Sequence, residues 1–197
     1  MTIRLTLLCA AAPAEREVRF ADSPPDEGAL RHARATAAHL SAPGLRLCAP
    51  SLRCRRTVEA FGWEAVAVEP ALRDMEMGRW LGRTPEEIAT ADPAGFAAWL
   101  GDPSAAPHRG ESVAEVCGRV AAWLDGLPSD AGRVVAVVEQ AVARAAVVHA
   151  LAAPPGSFWR VDVPPLGAVR LTGRVGRWNL RLDGAVAGPP SEGDEGG

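Results

Sequence analysis

The stretch that decides the fold is "VVAVVEQAVARAAVVHALAAPP", Val134 to Pro155. Five consecutive apolar residues, four of them valine, are too few for a helix and need cover on both faces, as a strand inside a parallel sheet does. Helical spacing then takes over from about Gln140 to Ala152, and Pro154 and Pro155 end it. A buried strand leading directly into a helix is the repeating unit of an α/β fold.

Working outward, the same alternation recurs. Residues 2 to 8 are apolar enough for a strand, and Glu27 to Leu40 carries Leu30, Ala33, Ala37 and Leu40 at helical spacing. "GLRLCAP" gives a second strand ending near Cys48. Pro50 to Phe61 follows as a helix closed by Gly62, with Arg53 in its first turn. "AVAV" at Ala65 to Val68 is a third strand. Thr84 with Glu87 around Pro85, and Asp92 before Pro93, start two short helices. Glu111 to Leu127 places Val113, Val116, Cys117, Val120, Leu124 and Leu127 on one helix face. Arg170 to Leu182 reads as an antiparallel hairpin at a sheet edge, with Trp178, Leu180 and Leu182 alternating toward one side. The expected architecture is a three-layer α/β/α sandwich with a mostly parallel central sheet. It forms one domain over residues 1–184, followed by an acidic, glycine-rich tail (185–197) that buries too little to order itself.

Composition excludes several classes. A chain of 197 residues with a net charge of −3 offers no general nucleic-acid surface, although all 21 of its cations are arginine. The absence of lysine and tyrosine points to a GC-rich bacterial genome. No run is long enough to span a membrane and the N-terminus has no signal-peptide pattern, so the expected location is the cytoplasm. Cys9, Cys48, Cys54 and Cys117 show neither metal-ligand nor disulfide spacing and are expected as free thiols. Asp74, Glu76 and Glu139 as a carboxylate metal site rests on spacing too loose to carry it, so neither metal nor cofactor is expected.

In a parallel sheet the ligand lies beyond the carboxyl ends of the strands. The segments there are Cys9 to Pro13, Ala49 to Arg53 and Glu139 to Ala141, with "RDMEMGRW" as a fourth contributor. Their polar groups are Arg53, Asp74, Glu76, Arg79 and Glu139.

The element order, with "APSLRCRRT", "LRDMEMGRWLGRTPEEI", "FAAWLGDPSAAPHRGESV" and the stretch quoted first, resembles the histidine phosphatase superfamily from about Ile3 to Leu182. That resemblance implies the phosphoglycerate-mutase-like fold. It also implies an Arg-His-Gly motif after the first strand, whose histidine takes up the phosphoryl group; here those positions hold Cys9, Ala10 and Ala11. The family's second arginine falls on Arg53, with Ala49 and Ser51 replacing the motif's serine and leucine. Its proton donor falls on Asp74, and its second histidine on Glu139, beside Gln140.

The resemblance therefore implies a degenerate member. An alanine methyl cannot attack phosphorus, and a phosphate dianion beside two carboxylates in a partly dry site is penalised. The primary reading is a ligand-binding protein without phosphohistidine chemistry. Its small-molecule ligand would sit in the former phosphate pocket against Cys9, Ala10, Ser51, Arg109 and Gln140, and a homodimer stays open. The alternative is a repurposed isomerase, cyclase or lyase with Glu139 and Asp74 as acid and base and Arg53 orienting the substrate. Glu139 as an acyl-phosphate nucleophile lacks the metal or positive cluster it would need.

Single residues keep a plainer reading too. Arg53 reads as a ligand anchor or as half of a structural ion pair, and Glu139 as an acid/base or as a helix cap. Arg109 is a replacement cation or a solvated loop residue. Cys9 lines the pocket or is simply a small buried residue. His32, His39, His108 and His149 match no family catalytic position.

Overall fold

The computed structural model describes residues 2–15, 17–37, 44–174 and 176–182. Six strands form one sheet: β1 (Ile3–Cys9), β2 (Leu45–Cys48), β3 (Ala67–Val68), β4 (Arg133–Val138), β5 (Ala168–Arg174) and β6 (Arg177–Arg181). Among the described residues the α-helices are α1 (Glu27–Ala37), α2 (Leu52–Phe61), α3 (Pro85–Ala91), α4 (Pro93–Gly101), α5 (Val113–Asp125) and α6 (Gln140–Ala150). Strand order is β3-β2-β4-β1-β5-β6. The β1–β4, β2–β4 and β2–β3 pairs are parallel, and the β5–β6 hairpin adds two antiparallel pairs at one edge.

β4 lies at the centre because it is the strand most in need of cover. Val134, Ala136, Val137 and Val138 have no exposed surface and Val135 almost none. The helices cover the sheet from two sides: α1 packs on α2, which lies over β2 and β4, while α5 packs on α6, which crosses β1, β5 and β6. The helix following β1 and the helix following β4 thus lie on opposite faces. The carboxyl ends of these neighbouring strands mark the topological switch point of the sheet, where such folds place a ligand crevice.

Several boundaries differ from the sequence reading. Pro50 precedes α2 rather than starting it; Ser51 is the N-cap, its hydroxyl accepting from Cys54 N at 3.2 Å. Gly62 closes α2 in the left-handed conformation at φ +66. β3 is two residues long instead of four, and both are exposed. α5 starts at Val113 behind a capping box of Ser112 and Glu115, and α6 ends at Ala150. Trp178 is buried, but Leu182 lies outside β6 and is exposed, because the ladder ends at Arg181. The expected helical extension to Leu40 and the tail beyond residue 184 fall outside the described residues.

Between β3 and α5 the chain wraps an aromatic group. Trp80 meets Trp99 edge-on at 5.6 Å between centroids and stacks on His108 at 4.9 Å; Phe96 and Trp159 also pack on Trp99. Burial of these rings fixes α3, α4 and the loop before α5. His108 has no exposed surface, so its placement is structural, and burial pushes its pKa down. His149 pairs instead with Asp125 at 3.1 Å on the far side of α6.

Candidate functional site

Three strand ends supply the floor of the crevice. After β1, Ala10 N donates to Val138 O at 2.9 Å, and Ala11 N donates to Thr57 Oγ1 at 3.0 Å. Cys9, Ala10 and Ala11 are all buried. Ala10, which stands where the resemblance puts a nucleophile, offers only a methyl group to this floor.

Glu139 stands where β4 gives way to α6 and is 4% exposed. As the N-cap residue of α6 its backbone is extended, at φ −80 and ψ 160, but its side chain caps nothing. This corrects the reading of Glu139 as a cap. The carboxylate instead turns across to α2, where Arg53 meets it with two nitrogens: Nε lies 3.3 and 3.2 Å from the two oxygens, and Nη2 bonds Oε2. Ser51 Oγ donates to Oε1 at 2.8 Å, and Cys54 Sγ approaches the same oxygen at 3.6 Å. One buried carboxylate thus takes up Arg53 and the hydroxyl that caps α2.

Burial opposes charge on Arg53. The attraction of Glu139, with a further contribution from Asp74, outweighs it and raises the guanidinium's pKa. Cys9 is pushed up to about 12, first by burial and then by Glu139, against the pull of Arg144 and Arg53. Cys54 is raised well above its ordinary value for the same two reasons. Neither thiol supplies a nucleophile.

Asp74 reaches the site from the irregular segment after β3. Its surface is exposed, yet the surrounding protein strips water from the carboxyl and Glu139 adds negative charge, pushing its pKa up to about 7. The Met75 N–H at 2.8 Å and the charges of Arg53 and Arg119 act in the opposite direction. Solvent access moderates this shift without changing its sign. Asp74 makes no hydrogen bond to Arg53, so the arginine is committed to one carboxylate and not to both.

The segment bearing Asp74 is clamped. Arg119 donates to Ala71 O at 2.7 Å and Arg73 O at 3.0 Å, and holds Glu111 through two nitrogens at 2.7 Å each. Glu111 N donates to Glu76 O at 2.8 Å. The two chain segments pass so closely that a Cβ on Gly110 would lie 1.9 Å from Glu76 O, and one on Gly78 (φ +45) 2.2 Å from His108 O. Only glycine fits there.

The remaining sequence candidates separate. Ser51 belongs to the site. Gln140 turns away to Val163 O at 2.8 Å. Arg109 is exposed, has a left-handed backbone at φ +60, and makes no ion pair with Asp74 or Glu139. Glu76 contributes its carbonyl to the clamp. Arg79 pairs with Asp92 at 2.9 Å.

Two residues escaped the sequence reading. Asp22, in the loop before α1, accepts from Leu52 N at 2.8 Å and Arg53 N at 3.5 Å, and so holds the N-terminus of α2. Arg144, on α6, lies with its guanidinium 5.7 Å from the Phe158 ring, has a buried Nε without a hydrogen-bond partner, and acts on Cys9 electrostatically. An arginine among the small apolar residues of the middle of α6 was the available signal for it. Nothing in sequence spacing ties Asp22 to a helix that begins thirty residues later.

A surface groove of about 370 Å³ lies elsewhere, between Thr2 and the β5–β6 hairpin, and includes none of these residues. Among the described residues no group of His, Cys, Asp and Glu is arranged to hold a metal ion, and no helix is long and apolar enough to cross a membrane.

A mostly parallel six-stranded sheet flanked by helices defines the class of fold, and comparison with known proteins gives the family. The family model of the histidine phosphatase superfamily (branch 1) matches residues 13–184, and the chain belongs to that family. The match begins just beyond Cys9, Ala10 and Ala11. A mycobacterial glucosyl-3-phosphoglycerate phosphatase solved with inorganic phosphate is 26% identical, covering 91% of this chain and 95% of that one at a TM-score of 0.75. The α-ribazole phosphatase of Shigella flexneri is 20% identical over 91% and 95%, at 0.79. A histidine-to-alanine mutant of Entamoeba histolytica phosphoserine phosphatase, in complex with phosphoserine, is 18% identical over 91% and 95%, at 0.80. No curated protein matches the chain.

Proposed function

We propose that this protein is a histidine-phosphatase-fold member without phosphohistidine chemistry, a cytoplasmic pseudophosphatase whose crevice serves ligand binding. The observation that carries this reading is the bond between Arg53 and Glu139. A phosphate ester needs free cations, and the arginine that would meet it is already neutralised by a carboxylate of the same chain. Asp22 does the same for the N-terminus of α2, where backbone N–H groups would otherwise face an anion. The protein thus supplies its own anions at both positions. With Asp74 beside them, the crevice suits a small neutral or cationic molecule better than a phosphate.

A second reading is favoured by Asp74 alone. A carboxyl titrating at about 7 next to a carboxylate bound to arginine is the paired arrangement that general acid–base catalysis uses. On this reading Asp74 delivers and removes a proton on a substrate that Arg53 and Glu139 orient.

The test is a phosphate-release screen over sugar, amino-acid and nucleoside monophosphates, run with acid quenching to trap a phosphoenzyme. No release and no phosphoenzyme are expected. Turnover of any ester that disappears in Glu139→Gln overturns the proposal. The acid–base reading is tested by whether a neutral or cationic compound that raises Tm in the wild type is also converted, with loss of conversion in Asp74→Asn.

A further inference from the structure

Among the described residues α6 is the helix that packs closely on β1, β5 and β6, and the face of β5 and β6 turned away from it carries mostly exposed residues. Alternation along each strand decides what that face presents. Ile3, Leu5, Leu171 and Trp178 point into the core, so their neighbours Arg4, Thr172, Arg177 and Asn179 point out.

The register lines these residues up across the strands. Arg4 is opposite Thr172, which is opposite Asn179. Arg174 lies directly across from Arg177. No acidic residue occupies any of the outward positions in the three strands. Like charges placed directly opposite each other repel, and Arg174 and Arg177 are so placed. The groove between Thr2 and the hairpin, lined by Thr172, Arg174, Arg177 and Asn179, lies on this surface.

Arginine on an outer strand alone would serve to keep sheet edges from joining. That account covers β6 but not Arg174 on β5 or Arg4 on β1, which lie inside the sheet where no edge needs protection.

We infer that this face is a docking surface for an extended acidic peptide of a partner protein, added to the sheet as a strand along β6. Two features favour a peptide. Among the described residues β6 pairs only with β5, so its outer N–H and C=O groups can continue the ladder, which a peptide backbone completes. In addition, acidic side chains at alternate positions of such a strand repeat every ~6.8 Å, the spacing of arginines two residues apart in a strand. Nucleic acid would match the charge but cannot complete the ladder. It would also want exposed rings for stacking, and the described residues expose no large aromatic side chain.

The test is fluorescence anisotropy of the full chain with a labelled peptide of alternating glutamate and valine about ten residues long. Competitors are the same peptide methylated on alternate backbone nitrogens and a single-stranded RNA. The expected result is binding that weakens with salt. It falls about tenfold or more in Arg174→Glu/Arg177→Glu and partially in Arg174→Gln/Arg177→Gln. Blocking the backbone nitrogens is expected to cause a comparable loss. Unaltered circular dichroism melts confirm that these surface variants fold; variants that fail to fold are replaced by Arg4→Gln/Arg181→Gln, for which the same loss is expected. The inference is overturned by absence of binding, by binding indifferent to charge removal, by equal binding of the methylated peptide, or by tighter binding of the RNA.

Discussion

Removing the Glu139 carboxylate tests whether the crevice carries an internal stand-in for phosphate. At 3.2 Å and an effective dielectric of about 20, one unit pair of charges attracts by about 5 kcal/mol. Loss of one partner from such a buried pair costs about 3–5 kcal/mol. The lower end applies here, because Arg53 keeps 19% of its side chain exposed and can partly rehydrate. Both Glu139→Gln and Glu139→Ala should therefore lose about 3 kcal/mol, roughly 6–12 °C in Tm for a chain of this size. They should then diverge. Glutamine fills the space with an amide, whereas alanine frees Arg53, the Ser51 hydroxyl and the volume between them. Inorganic phosphate should stabilise the alanine variant, by about 2.7 kcal/mol at a hundred times its dissociation constant. It should stabilise the glutamine variant far less and the wild type not at all. Scanning calorimetry at slightly alkaline pH, with chloride matching the ionic strength, reads all three. The reasoning is refuted if phosphate raises the wild-type Tm as much as that of Glu139→Ala, or if Glu139→Ala costs less than about 1 kcal/mol.

Asp74 titrates at about 7 in the folded chain against an ordinary 3.8, so the native state binds the extra proton and stability contributed by this group falls as pH rises between those values. Asp74→Asn should match the wild type near the low end of that window and exceed it above neutrality in urea melts; a pH-independent difference would contradict the assignment. The four thiols are buried, with Cys9 pushed up to about 12 and Cys48 and Cys117 to about 11. A thiol-reactive dye at mildly alkaline pH should label none of them until denaturant is added, and rapid labelling of a native cysteine would show that the floor opens. Arg119→Leu should cost about 3 kcal/mol by urea unfolding, since Glu111, 8% exposed, would keep only Arg73 at 3.2 Å. A loss below about 1 kcal/mol would mean the clamp on the Asp74 segment is held by other contacts.

The sheet was legible because its strongest signals are local. Five apolar residues from Val134 need two covered faces, and the central position of β4 supplies them. The caps at Thr84 and Asp92 are likewise local, written in residues three apart. The ends of elements were less legible. Pro50 suits a first helical turn, but Ser51 satisfies Cys54 N directly and the helix starts after it. The partners of polar side chains were not legible. Whether Glu139 caps its own helix or crosses to Arg53 depends on a contact eighty-six residues away, and Gln140, one position on, turns toward Val163 instead.

The same distinction governs what the crevice can be. On the reading proposed above, an alanine at position 10 would by itself remove a nucleophile without closing the site to an anion. Glu139 changes that site's sign: a carboxylate on Arg53 and a second, from Asp22, on the α2 N-terminus occupy the positions where an anion would be bound. A buried carboxylate left without its arginine would be strongly destabilising, so Arg53 is now required by Glu139 whether or not any ligand enters. Persistence of that arginine is therefore no sign of phosphate binding. The residue left with chemical freedom is Asp74, which has no ion-pair partner among the described residues and whose pKa burial and Glu139 raise. A ligand that matters to this protein should be recognised by its dependence on Asp74 rather than on Arg53.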